Sequence, residues 1–254
     1  MDSVRKPFQG VWNIIRFNWH YYILSIFLVL FILLLQKSFN QSFKVAANIL
    51  ALLIISSTLI TLIVSLYIYD FSKLYTLTWL SNLKQGGKET IININAGFDE
   101  TSSLLKRKFE NSELLVADFY DPEKHTELSI KRARKAYPPF PNTFRISTKH
   151  LPIEDSSADK IFAILSAHEI RNEKERIAFF NELQRVLKAS GQIIVTEHLR
   201  DTANFLAYNI GFFHFHSKAT WHKTFHSSRL QVAKEIKITP FISTFILEKN
   251  GSAS

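Results

Sequence analysis

The sequence predicts an α/β domain, built on a mostly parallel sheet, preceded by two transmembrane helices. Three observations carry that prediction. Two long uncharged apolar runs lie in the first 70 residues, short β-rich runs alternate with helical patterns from Thr90 onward, and two β-rich runs follow one another directly near the C-terminus. Alternation of strand and helix is the signature of a parallel sheet covered by helices on both faces. The terminal pair adds antiparallel strands at one edge.

Between Arg16 and Lys37 lie 20 uncharged residues, and between Lys44 and Asp70 lie 25. At about 1.5 Å rise per residue the first run just crosses a hydrocarbon core of roughly 30 Å and the second crosses it with tilt. The predicted hairpin occupies residues 1–70, with spans over about 17–36 and 45–69. Ser56, Ser57, Thr58 and Thr61 sit in the second span, where their hydroxyls bond back to helix carbonyls. Trp12, Trp19, Tyr21 and Tyr22 flank the start of the first run, and Tyr67, Tyr69, Tyr75 and Trp79 the end of the second, so the rings belong to one bilayer interface. Arg5, Lys6 and Arg16 precede the hairpin and Lys73, Lys84 and Lys88 follow it, while the loop from Lys37 to Lys44 is short and weakly charged. Positive charge stays on the cytoplasmic side, so both termini and the soluble domain are expected there. A cleaved signal peptide is disfavoured because the second run follows at once with no small-residue cleavage site. A buried hairpin in a soluble core is disfavoured because both runs are apolar around their whole circumference.

The chain has 254 residues and no cysteine, which excludes a disulfide framework, a thiolate zinc site and a cysteine nucleophile. Its net charge of +9 is spread over both parts, and a moderately basic body suits an anionic membrane surface. The densest basic run, Lys131, Arg132, Arg134 and Lys135, falls on a predicted helix and reads as a solvated face. The lipid bilayer, rather than nucleic acid, is the expected partner; the oligomeric state is not legible.

Residues 71–89 form the predicted linker, with Lys84, Gln85, Gly86, Gly87 and Lys88 as its polar end, and residues 90–249 the soluble domain. Ile91–Asn95 reads as the first strand, Thr101–Phe109 as its helix, Leu114–Ala117 as the second strand and Glu123–Ala136 as the next helix. Pro138, Pro139 and Pro141 stop that helix. Thr143–Ile146 is the third strand, Lys160–Leu165 the fourth, and Glu173–Lys188 a helix with Ile177, Phe180, Leu183 and Leu187 in one stripe. Gly191 is placed to end the turn before a fifth strand, Gln192–Glu197. Gln231–Ile238 and Ser243–Glu248 make the final antiparallel pair.

Two segments carry a family resemblance. Leu151-Pro152-Ile153-Glu154-Asp155-Ser156-Ser157-Ala158-Asp159 and Glu182-Leu183-Gln184-Arg185-Val186-Leu187-Lys188-Ala189-Ser190-Gly191-Gln192 are similar to the stretches that precede the fourth and fifth strands in class I S-adenosylmethionine-dependent methyltransferases. The region from Thr90 to Lys249 therefore resembles that family, in particular its type 11-like branch acting on quinones and small molecules. The resemblance implies a Rossmann-like fold with a mostly parallel seven-stranded sheet, an antiparallel C-terminal strand, and S-adenosylmethionine as cofactor. It places Asn93-Ile94-Asn95-Ala96-Gly97-Phe98-Asp99 at the family's glycine-rich loop, where only Gly97 keeps the pattern. Asn95 is expected to replace one glycine because asparagine tolerates left-handed backbone geometry. Asp99 either meets the cofactor's amino group or fills the pocket. Asp118 ends the second strand about 20 residues after the loop, where an acid bonds ribose hydroxyls. Ser147 or Thr148 falls near the adenine, and Ser147 is the candidate retained.

Methyl transfer needs a positioned acceptor and, for a hydroxyl, removal of its proton. Residues after the fourth and fifth strands face that space, which points to His168 and Glu169, and to Glu197 and His198, with His168 and His198 as candidate bases. His214, His216, His222 and His226 share a segment with Phe205, Tyr208, Phe212, Phe213, Phe215, Trp221 and Phe225, read as an aromatic insertion covering a lipophilic, quinone-like, phenolic or lipid acceptor. His214-Phe215-His216 lacks helical ligand spacing and a nearby carboxylate, so no metal is expected. A binding or scaffold protein on a decayed methyltransferase fold, and a nicotinamide-dependent oxidoreductase, are the alternatives.

Overall fold

The structure is a computed structural model that describes residues 5–81, 83 and 87–251. Lys84, Gln85 and Gly86 of the expected linker lie outside the described residues. A helical hairpin opens the chain. Helix α1 (Gln9–Leu35) begins well before the expected span, and α2 (Gln41–Leu66) runs on through a π-helical turn, Tyr67–Phe71. Asn40 caps α2 by accepting the Phe43 N–H at 3.0 Å. Thr58 donates back to the Ile54 carbonyl, which hides its hydroxyl within an apolar helix. Both helices are long and apolar enough to cross a membrane, and side chains such as Leu24, Phe27, Leu52 and Ile63 are 63–66% exposed.

The remainder folds around one seven-stranded sheet in the order β3-β2-β1-β4-β5-β7-β6. Its strands are β1 (Thr90–Asn95), β2 (Glu113–Asp118), β3 (Phe144–Arg145), β4 (Ala158–Ile164), β5 (Leu187–His198), β6 (Leu230–Thr239) and β7 (Ile242–Lys249). β1 to β5 are parallel, β7 is antiparallel to β5, and β6 is antiparallel to β7. Among the described residues, five further α-helices accompany it: α3 (Ser102–Lys108), α4 (Leu128–Ala136), α5 (Glu173–Val186), α6 (Thr202–Tyr208) and α7 (Lys218–Ser227). Period-two alternation divides each strand between two cores. Ile92, Ile161, Val195, Phe180, Trp221 and Phe245 fill one face, and Ile91, Phe162, Ile194, Leu105 and Phe109 the other.

The second face also takes Leu77, Trp79, Leu80 and Leu83, so the expected linker is largely core-packed chain rather than a tether. The helix expected from Glu123 starts only at Leu128, because Asp121 to His125 closes a turn in which His125 Nδ1 accepts the Asp121 N–H at 2.9 Å. Gly191 does not end a turn. It lies inside β5, where a Cβ would stand 3.0 Å from the Ala158 and Asp159 carbonyl oxygens, so glycine is needed for the close approach of β5 to β4. Trp221 and Phe225 sit on α7 and bury against Phe180, as part of the core rather than of an acceptor wall.

The strand order reverses between β1 and β4, and α/β sheets bind ligands in the crevice beyond the carboxyl ends at such a point. The hairpin docks against that end. Arg5 pairs with Glu100 at 2.7 Å, Arg132 donates to the Phe17 carbonyl at 2.6 Å, Tyr137 donates to Asn13 at 2.9 Å, and Thr61 donates to the Ala207 carbonyl at 2.7 Å. Two of the four charges in the basic run of α4 thus turn inward, Arg132 to α1 and Arg134 to Asp118, instead of forming a solvated face.

Candidate functional site

At the carboxyl end of β1 the chain makes one sharp turn. Gly97 carries it with φ of 95°, a conformation that costs other residues strain. Asn95 does not share that task. It stays in the strand, and its side-chain oxygen accepts the Gly97 N–H at 2.9 Å while its amide donates to the Ala117 carbonyl at 3.3 Å. Phe98 turns away from the crevice, edge-on to Phe17 of α1 at 5.6 Å between centroids. Asp99 Oδ1 accepts the Thr101 and Ser102 N–H groups at 2.9 Å each, and so starts α3. Asn93 donates to Thr101 and Ser102 from below at 3.0 and 2.8 Å. Among the described residues, Asn93 Oδ1 and Asp99 Oδ2 are buried acceptors with no donor. Such orphans are costly without a partner and suit an incoming amino group.

Asp118 ends β2, in register with Asn95 of β1. Its Oδ1 accepts the Tyr120 N–H at 2.8 Å, and its Oδ2 accepts from Arg134 of α4 at 2.7 Å. The guanidinium of Arg134 lies 4.2 Å over the Tyr120 ring, and a Cβ on Gly97 would meet it at 2.6 Å. Neither Phe98 nor Asp99 therefore fills the space beside Gly97 and Asp118; a long side chain from α4 does. Next to it opens a cavity of about 270 Å³ lined by Phe119, Tyr120, His125, Ser147, Thr148 and Glu175, which places Ser147 on the wall of a partly aromatic recess.

A second group of side chains gathers after β4 and β5. His168 and Glu169 form a short turn after β4, Glu197 comes from the end of β5, and His214 arrives from the 3-10 turn Asn209–His214 beyond α6. His168 Nδ1 lies 2.6 Å from the fully buried Glu197 carboxylate, and its Nε2 lies 3.3 Å from Glu169 Oε1. Burial opposes a charge on His168, but Glu197 and Glu169 outweigh it and push the pKa up to about 10. Burial would raise Glu169 too, yet His168 and His214 hold its carboxyl well below the usual carboxylate range.

His198 is placed differently. Its Nδ1 meets Asn204 Oδ1 at 3.0 Å, its Nε2 meets the Tyr69 hydroxyl at 2.8 Å, and its ring stacks on Phe215 at 4.7 Å. Burial pulls its pKa down to about 4. Both ring nitrogens are engaged, so His198 joins the hairpin to the sheet and does not reach the groups around His168. His216, two residues from His214, turns instead to Arg176 at 3.3 Å.

Sequence spacing missed Arg134 as a neighbour of Gly97 and Asp118, because it comes from a different element and no local pattern links it to them. The comparisons agree with the fold. The family profile described as "Methyltransferase domain" matches residues 96–195. No curated protein matches the chain in sequence. Among solved structures, a SAM-dependent methyltransferase from Aquifex aeolicus is similar at 15% identity and a TM-score of 0.51, covering 70% of this chain and 93% of its own. Geranyl diphosphate C-methyltransferase from Streptomyces coelicolor A3(2), in complex with Mg2+, geranyl diphosphate and S-adenosyl-L-homocysteine, is similar at 12% identity and a TM-score of 0.52, covering 74% of this chain and 82% of its own. Residues 96–195 thus match the methyltransferase domain profile, and the chain has the Rossmann-like fold seen in S-adenosylmethionine-dependent methyltransferases.

Proposed function

We propose that the protein is a membrane-anchored methyltransferase that uses S-adenosylmethionine to modify a lipophilic small molecule, quinone-like, phenolic or lipid. The observation that carries this reading is the first crevice: a positive-φ glycine, an acid ending β2, and two buried acceptors without donors, all at the switch point of a methyltransferase fold. Those groups fit the cofactor, which supplies a methyl group activated on a sulfonium. Asp118 would hold its ribose, Asn93 and Asp99 its amino group, and the recess at Ser147 its base.

The anchor supports the acceptor class. Phe205, Leu206, Ile210 and Phe213 on α6 and the turn after it are 46–82% exposed, next to the contact of Thr61 with Ala207. An apolar patch beside a helix fit to span a bilayer is a surface for lipid. Acceptor chemistry then falls to the cluster around His168 at the base of that patch.

A second reading, a tethered relative without cofactor, is favoured by one contact, the Arg134–Asp118 pair. Arg134 must leave Asp118 before a ribose can bind there. Calorimetric titration of the full chain in detergent separates the two readings. Saturable binding, weakened tenfold or more in Asp118→Ala and tightened in Arg134→Ala, is the outcome expected from losing or freeing one charge-assisted hydrogen bond of about 1.5–3 kcal/mol. Absence of heat at millimolar cofactor in both the parent and Arg134→Ala establishes the tethered reading. Labelled methyl transfer into extracted membrane lipids then tests the acceptor.

A further inference from the structure

We propose that His168, Glu169 and His214 form a zinc site with one open position at the acceptor end of the crevice. One ligand atom from each of the three residues lies within 4.8 Å of the others. Glu169 Oε1 sits between the two rings, 3.3 Å from His168 Nε2 and 3.4 Å from His214 Nε2. A tetrahedral zinc ion with bonds of about 2.05 Å sets its ligand atoms roughly 3.3 Å apart. Two imidazole nitrogens and one carboxylate oxygen suit zinc, whereas magnesium prefers an all-oxygen shell.

The surroundings are those of a metal site too. Histidine ligands usually donate their second ring N–H to a carboxylate, which fixes the tautomer and aims the other nitrogen at the ion. Both histidines have such a partner: Glu197 lies 2.6 Å from His168 Nδ1, and Glu127 lies 3.1 Å from His214 Nδ1. Glu197 also accepts the His168 backbone N–H at 3.2 Å, so the ring is held from two directions. Arg171 competes for His214, reaching both its carbonyl oxygen and its Nδ1. In the metal-binding tautomer Nδ1–H donates to Glu127, and Arg171 rests on the carbonyl. With Glu127, Glu169 and Glu197 against Arg171, the carboxylates outnumber the guanidinium and favour a divalent cation.

Three protein ligands leave the fourth position of a tetrahedral ion free, the pattern of a reactive rather than a structural site. Its use rests on the methyltransferase reading. An acceptor hydroxyl bound there would be acidified and would give its proton to solvent, leaving an oxygen able to take the methyl group while the sulfonium sulfur keeps the electron pair of the broken carbon–sulfur bond.

Metal binding is measured without cofactor or acceptor, so its failure and that of the methyltransferase reading are separate results. The full chain, purified in detergent through a tag without histidine, is stripped with chelator and equilibrated with zinc. One zinc per chain by mass spectrometry is expected, and cobalt in its place should give the strong visible absorption of a tetrahedral site. His214→Ala and the isosteric Glu169→Gln should each weaken zinc at least tenfold, and Glu127→Gln by tenfold to a hundredfold. His214 is partly exposed, so its variant should keep the metal-free melting temperature. Substoichiometric zinc in the parent chain, or unchanged affinity in His214→Ala and Glu169→Gln, overturns the site.

Discussion

His198 shows how one buried side chain sets a pH limit on the whole fold. Its pKa is depressed by burial to about 4, against 6.5 in the unfolded chain, so the folded state binds fewer protons. The contribution is intact above the unfolded value and is lost as pH falls through the window from about 6.5 to 4, amounting to roughly 3 kcal/mol for a shift of this size. Melting temperature in detergent should therefore fall between pH 7 and pH 4.5. His198→Gln, which keeps a polar partner for Tyr69 and Asn204, should flatten that slope. At this scale the sequence was informative about identity and silent about partners. Gly97 and Asp118 stand out because backbone geometry and strand ends constrain residue type. Arg134 does not, since nothing local announces that an arginine 37 positions beyond Gly97 will cover it.

At the scale of elements, the hairpin is fastened to the sheet by polar contacts. Glu100 binds Arg5 and Asn13 with one carboxylate oxygen, at 2.7 and 3.4 Å, and accepts from Tyr75 with the other at 2.7 Å. Asp70 accepts the Gly10 and Val11 N–H groups at 2.8 and 2.7 Å, satisfying the start of α1 from the end of α2. Glu100→Ala should cost about 2–3 kcal/mol of docking, because it strands a guanidinium and a phenol. Faster amide exchange at residues 9–13, with β1 and β5 unchanged, is the expected reading. Strand and helix order was legible, since periodicity and glycine–proline punctuation are local. Two boundaries and one packing assignment were not, for physical reasons in each case. The His125 turn delays α4, the Gly191 approach extends β5, and α7 draws two aromatic residues of the expected acceptor wall into the core.

For the whole molecule, charge and aromatic placement predict an orientation across a membrane, and a chain without cysteine is well suited to test it. A membrane-impermeant thiol reagent should label Ser38→Cys, in the turn between α1 and α2, in intact cells, and Asn111→Cys, in the soluble domain, only after lysis. The reverse pattern inverts the topology. The fold class followed from the sequence because layer architecture depends on element order alone. Of the cluster around His168, the strand ends already pointed to His168, Glu169 and Glu197, whereas Glu127 comes from the segment before α4, where no local pattern announces it.

The bond from Thr61 to Ala207 fixes a depth. Thr61 lies ten residues before Phe71, about 15 Å along α2, so α6 is carried below the end of the span that follows it. With α2 in a bilayer, the greasy shelf of α6 rides inside one leaflet like the blade of a skimmer, meeting its quarry by sideways drift. On the proposed reading, turnover should then follow the mole fraction of the acceptor among the surrounding lipids, and diluting the vesicles in buffer should leave it unchanged.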